Sequence, residues 1–222
     1  MDVQTLLVVC ADSDTGYRVA QLGHRAGLMV IAAIRRHSDP GMFDRLGVKV
    51  VHANPVNRRD IAAIFVNLNL DGLAVACIIG GTSLLNSEGN MNVVNVANEI
   101  GVRRFVLVTS IGCGDSADAV DPFVKAFVGK ALTAKTWAER ALLATDMDWT
   151  IVRAGGLLRR NFKGGAMLLD SRTVTGHINP TDLGDGVFRA LISPKTVGRV
   201  LAAVDAEQAV DSKGEPLIAA DL

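Results

Sequence analysis

The chain of 222 residues holds a single tyrosine, Tyr17, and aromatic residues make up only 5% of it. Chemistry that needs a phenol away from the amino-terminal region has no residue to perform it. Cysteine is scarce as well. Cys10, Cys77 and Cys113 are odd in number and widely separated, which reads against a disulfide framework and gives no zinc spacing. Their pattern points to a reducing, cytoplasmic setting. The four histidines form no i, i+4 pair, so no metal site is expected. Excess charge of one sign is missing too, with 23 basic against 23 acidic residues, and this argues against nucleic acid or an anionic membrane as the main partner. No apolar run nears the ~20 residues of a membrane helix, and no basic segment followed by a long apolar one marks a secretory signal.

What is present is a core-forming chain, 49% hydrophobic and 21% charged, of a length that suits one domain over residues 1–222. Short apolar, β-branched runs predict strands over 6–10, 29–34, 48–51, 73–79, 105–109, 149–152 and 200–204. Segments of 3.6-residue periodicity predict helices over 17–27, 57–68, 91–100, 122–144 and 182–192, with a short helix over 39–46. Strands alternating with helices imply right-handed βαβ units and an α/β, doubly wound, Rossmann-like and mostly parallel sheet. The strands are almost continuously apolar, as burial on both faces requires. Residues 155–175 show no clear periodicity. They follow the sixth strand at the carboxyl edge of the sheet, where ligands bind in such folds, and mark a substrate-side segment of about 155–180.

Four stretches carry a resemblance: Val106 to Ser110, Ala134 to Glu139, Trp149 to Gly155, and Asn179 to Gly184. With the loop after the first strand, they resemble the atypical short-chain dehydrogenase/reductase family. That family includes small NAD(P)H-binding reductases of the biliverdin/flavin reductase type and nitrogen-metabolite-repressor-like sensors. Its first loop usually reads Gly-Ala-Thr-Gly-x-x-Gly, so that backbone and helix-end amides can approach a diphosphate. Here the loop is Cys10, Ala11, Asp12, Ser13, Asp14, Thr15, Gly16, and only the third glycine remains. Asp12 and Asp14 would repel a diphosphate ~5 Å away by roughly 1–3 kcal/mol, unless they turn outward or serve only as caps of the helix. Ser13 and Thr15 offer hydroxyl donors to it. The resemblance implies that Arg35 and Arg36 face an adenosine 2′-phosphate, hence NADP(H) as cofactor, although an arginine pair also suits a solvated strand end. It sets Asn54 near the adenine and Gly80 and Gly81 beside a ribose; the two glycines also suit an ordinary turn.

The resemblance further implies that Ser110 and Lys135 are the catalytic pair. The tyrosine that the family places four residues before that lysine falls at Ala131, so its Tyr–Lys proton relay is missing and a simple alcohol dehydrogenase is not expected. Ser110 also suits a strand-end hydroxyl, and Lys135 a solvated residue paired with Glu139 at i+4. Hydride transfer to a conjugated acceptor needs mainly apposition, with the proton from solvent. Cys113, Gly155 and Phe162 are the candidate substrate residues, with Arg159, Arg160 and Lys163 as cations for a carboxylate or as a plain basic loop. Three functions remain open: an NADP(H)-dependent reductase of a small conjugated or aromatic acceptor; a non-catalytic sensor, scaffold or complex subunit with a degenerate cofactor loop; and a non-redox isomerase or lyase. Helix 122–144 offers a face for a homodimer.

Overall fold

In the computed structural model, which describes residues 2–222, eight strands form one twisted sheet. In chain order the strands are β1 Thr5–Val9, β2 Met29–Ile34, β3 Lys49–His52, β4 Leu73–Cys77, β5 Arg104–Ser110, β6 Asp148–Ala154, β7 Gly156–Leu157, β8 Ala166–Leu169, β9 Val174–Thr175, β10 His177–Ile178, β11 Arg199–Asp205 and β12 Val210–Asp211. The sheet runs β3-β2-β1-β4-β5-β6-β11-β8, and all its pairs are parallel except the last. The order reverses at β1 and β4, which opens a crevice beyond their carboxyl ends.

The pleat distributes the apolar runs to two layers. Leu6, Val8, Ala74, Ala76, Val106 and Val108 face helices α1 (Asp14–Arg25) and α5 (Pro180–Ile192). Leu7, Val9, Val75, Cys77, Phe105 and Leu107 face α2 (Arg58–Ile64), α3 (Asn90–Glu99) and α4 (Pro122–Leu143). Both layers are closed, which explains strands without polar alternation; each fully buried Leu or Val contributes roughly 1.5–3 kcal/mol. Small residues bring α1 and α5 together. A Cβ on Gly184 would meet Arg18 Cβ at 2.7 Å and Thr15 O at 3.0 Å. Asn179 caps α5 by accepting from the Thr181 amide at 2.8 Å, and Thr15 Oγ1 donates to Pro180 O at 2.9 Å, latching the start of α5 to the first loop.

Two expectations about local structure need correction. Helix α1 begins at Asp14 rather than Tyr17, because Ser13, not an aspartate, is its cap. The aperiodic segment carries an antiparallel edge strand, β8, and one strand, β7 or β9, of each of two small ribbons completed by β10 and β12. Strands of two to four residues are too short to display a period. Among the described residues, no helix is long and apolar enough to cross a membrane, and no three metal-ligating side chains gather.

Candidate functional site

The first loop keeps a glycine's backbone path without the glycine. Cys10 has φ 62°, a left-handed conformation that costs an L-residue about 1–2 kcal/mol. Gly16 is required by space, since a Cβ there would lie 2.3 Å from Cys10 O. Ser13 Oγ donates to Cys10 O at 2.9 Å and accepts from the Gly16 amide at 3.0 Å. The amides of Asp14 and Thr15, in the first turn of α1, are left without intrahelical partners, and such amides attract an anion. The Thr15 hydroxyl is turned to Pro180 and is not free for phosphate, contrary to the sequence-based expectation.

Neither loop carboxylate stands unpaired. Asp14 accepts from Arg159 Nε at 2.8 Å, an exposed pair that ties the substrate-side segment to the loop. The Asp12 side chain is 2% exposed; its Oδ2 accepts from Arg35 Nε at 2.6 Å and from the Ser38 hydroxyl. Burial pushes the Asp12 carboxyl up, but the bonds from Ser38 and Arg35 prevail and hold it below the usual carboxylate range. Asp12 is thus no helix cap. Arg36 pairs with Asp60 at 3.2 Å, so both arginines after β2 are engaged with carboxylates. Asn54 builds the turn before α2, accepting from the Val56 amide at 3.2 Å, while its own amide donates to Asp60 at 3.0 Å.

A cleft of about 210 Å³ lies beyond the carboxyl ends of β1, β4, β5 and β6. It gathers nine of the candidate residues: Cys10, Asp12, Ser13, Thr15, Arg35, Gly80, Ser110, Lys135 and Gly155. A Cβ on Gly80 would meet open space, and one on Gly155 would lie 2.6 Å from Gly176 O. Lys135, on α4, donates from Nζ to Ser110 Oγ at 3.3 Å. Desolvation drives its ammonium pKa down, against the opposing pull of nearby Cys113, Glu139 and Cys77. The walls between these polar groups are apolar, with Ile78, Ile79, Val108, Leu157 and Leu183 among them. A hollow of about 240 Å³ at the opposite sheet edge is lined by Gly72, Arg103 and Asp148, outside the crevice where ligands of this fold sit.

Other candidates lie outside the cleft lining. Cys113 is fully buried and its Sγ points to Leu132 O at 3.5 Å, so its loop is at the sheet edge but its thiol is not; burial, then Glu139, push that thiol up. Phe162 is half-buried in the substrate-side segment, and Asp14, Gly16, Arg36, Asn54 and Gly81 do not line the cleft. Lys135 does not pair with Glu139. That carboxylate receives Arg153 at 2.8 Å and 3.0 Å and Thr109 Oγ1 at 2.6 Å, all buried bonds, with Thr109 itself in the cleft wall. This supporting pair escaped the sequence reading. Its signal was Arg153 itself, a cation inside an apolar strand that needs a buried partner.

A parallel sheet that reverses order at β1 and β4, with a helix amino terminus aimed into the crevice, defines the class of dinucleotide-binding α/β proteins. The chain belongs to the NAD(P)H-binding family, whose model matches residues 11–203. Two solved structures of ChuY, one described as an anaerobilin reductase from Escherichia coli O157:H7, are each 26% identical to it. The O157:H7 structure has a TM-score of 0.81, with 91% of this chain and 97% of that one covered. A chloroplastic protein of Arabidopsis thaliana, At2g34460, is 26% identical over 215 residues, 90% of this chain and 76% of the plant protein. A Veillonella parvula short-chain dehydrogenase/reductase in complex with NADP, at 13% identity and TM-score 0.73, shares the fold. The resemblance carried by the sequence motifs therefore holds, and the cofactor class is a nicotinamide dinucleotide.

Proposed function

We propose that this protein is a nicotinamide-dependent reductase of a small, planar, conjugated acceptor of the open-chain tetrapyrrole kind. The observation that carries the reading is the Lys135–Ser110 pair at 3.3 Å, set in an apolar cleft that also holds the first loop. The similarity to a protein described as an anaerobilin reductase supports the acceptor class. The residues present fit the coenzyme: two free amides at the start of α1 suit a diphosphate, and open space at Gly80 suits a ribose. When bound, a dihydronicotinamide supplies the hydride. Lys135 holds a ribose hydroxyl and fixes Ser110, which orients the acceptor's polar edge. Ile78, Ile79 and Val108 exclude water from the reacting face. With no tyrosine at Ala131, the accompanying proton comes from solvent.

The test is oxygen-free turnover of NADH and NADPH with biliverdin, flavin and quinone acceptors. Turnover of a conjugated acceptor is expected, and Lys135→Met should lower it about 10²-fold, with Ser110→Ala lowering it about tenfold. Coenzyme binding without turnover of any acceptor would make the protein a nicotinamide sensor instead.

A further inference from the structure

We infer that Asp12 makes the coenzyme site select an unphosphorylated adenosine ribose, so that the protein binds NAD(H) in preference to NADP(H); this rests on the nicotinamide-dependent reading above. Arg35, the cation nearest the loop after β2, already has a carboxylate on its Nε at 2.6 Å. The Ser38 hydroxyl, a second donor suited to phosphate, is bound to the same Asp12 oxygen. Arg36 is likewise paired with Asp60. The cation that would recognise a 2′-phosphate is therefore already paired through its Nε with the chain's own anion, and the local charge is balanced before any coenzyme arrives, although its exposed Nη groups keep their donors.

The other oxygen of Asp12 points to what does fit. Oδ1 is buried, lacks any hydrogen-bond partner, and belongs to a side chain that lines the cleft. A buried carboxylate oxygen without a donor is costly, and a ribose hydroxyl supplies one. A 2′-phosphate supplies the reverse. It brings a dianion beside a buried carboxylate, with one guanidinium shared between them through its Nε and Nη groups. Arg35, taken from sequence as a mark of NADP(H), thus serves to hold the carboxylate that rejects it.

Calorimetric titration of the full chain with NADH and with NADPH tests this without reference to turnover. The wild type should bind NADH at least about tenfold more tightly, given that like charges set against each other at an interface are strongly unfavourable. Asp12→Ser should release Arg35 and Ser38, tighten NADPH by about tenfold or more and weaken NADH a few-fold; adding Arg35→Ala should cancel the NADPH gain. Asp12→Asn, of the same size, replaces the serine variant if a thermal melt shows that one unfolded. Equal or tighter NADPH binding by the wild type, or an unchanged NADH/NADPH ratio in the folded variant, overturns the inference while leaving the nicotinamide reading intact. Failure of both coenzymes to bind at millimolar concentration overturns that reading and the inference with it.

Discussion

Arg104, at the amino-terminal start of β5, and Asp12, just past the carboxyl end of β1, are both buried ionic side chains, but they are satisfied to different degrees. Arg104 uses all its donors. Nε reaches Leu191 O at 3.0 Å, Nη1 reaches Asp148 O and Thr150 Oγ1 at 2.8 Å each, and Nη2 reaches Ala190 O and Thr196 Oγ1. It closes the last carbonyls of α5, where a cation also meets the favourable end of the helix dipole. Burial lowers its pKa to about 10, so it stays charged at neutral pH. The carboxyl end instead holds an unbonded carboxylate oxygen, a left-handed cysteine and a desolvated ammonium. One end of the sheet is finished by the chain itself and the other is left for a ligand to finish, which is where strain and unmet bonding gather in functional proteins.

The largest effect that sharpens this contrast is expected at the finished end. Arg104→Met leaves several buried carbonyls and hydroxyls without their donor, and should cost about 3–4 kcal/mol of stability in urea unfolding, with coenzyme affinity per folded molecule unchanged. A loss below about 1 kcal/mol would show that water replaces the guanidinium and that the two ends are not different in kind. Next in size is the strained loop. Cys10→Val adds β-branching to the left-handed strain that the cysteine already bears at φ 62° and should cost about a further 1 kcal/mol, whereas Cys10→Gly should stay within about 0.5 kcal/mol of the wild type because relief of strain offsets the added freedom of the unfolded chain. Equal stability of the two variants would mean that the loop does not hold the left-handed turn.

The same contrast explains what could be read from the residues alone. The layers were legible because Leu6 to Val9 and Leu73 to Cys77 are apolar at every position, and a strand buried on both faces has no other way to look. Ser110 and Lys135 could be set at the sheet edge from their places at the end of β5 and along α4. The partners of charges could not. Asp12 meets Arg35 across 23 positions and Glu139 meets Arg153 across 14, and nothing in local spacing distinguishes those partners from nearer ones. Lys135 and Glu139 stand at the spacing that favours a helical pair, but tertiary burial gives Glu139 to Arg153. The missing glycines suggested a broken loop, yet Cys10 adopts the glycine conformation. Composition reports what a backbone prefers, not what packing can impose on it.

The smallest expected effect concerns Lys135, and its sign follows from proton counting. Desolvation sets its folded pKa below the unfolded value, so over the interval between the two the unfolded chain binds more protons than the folded one. Stability due to this group is therefore lowest below the folded pKa, rises as pH climbs through it, and levels off above the model-peptide value of 10.5. The buried thiols oppose this from the other side. Burial raises Cys10 to about 12, so above 9 the unfolded chain loses thiol protons that the folded chain keeps, and their contribution falls with pH. The raw melting curve mixes the two, but the difference between Lys135→Met and the wild type isolates the lysine. Methionine fills the apolar slot without an ammonium, so the variant should melt higher at neutral pH and the gap should narrow as the buffer is made more alkaline. A gap that stays constant with pH would mean that Lys135 is solvated in the free protein, and the carboxyl end would then carry less unmet charge than the geometry of its cleft implies.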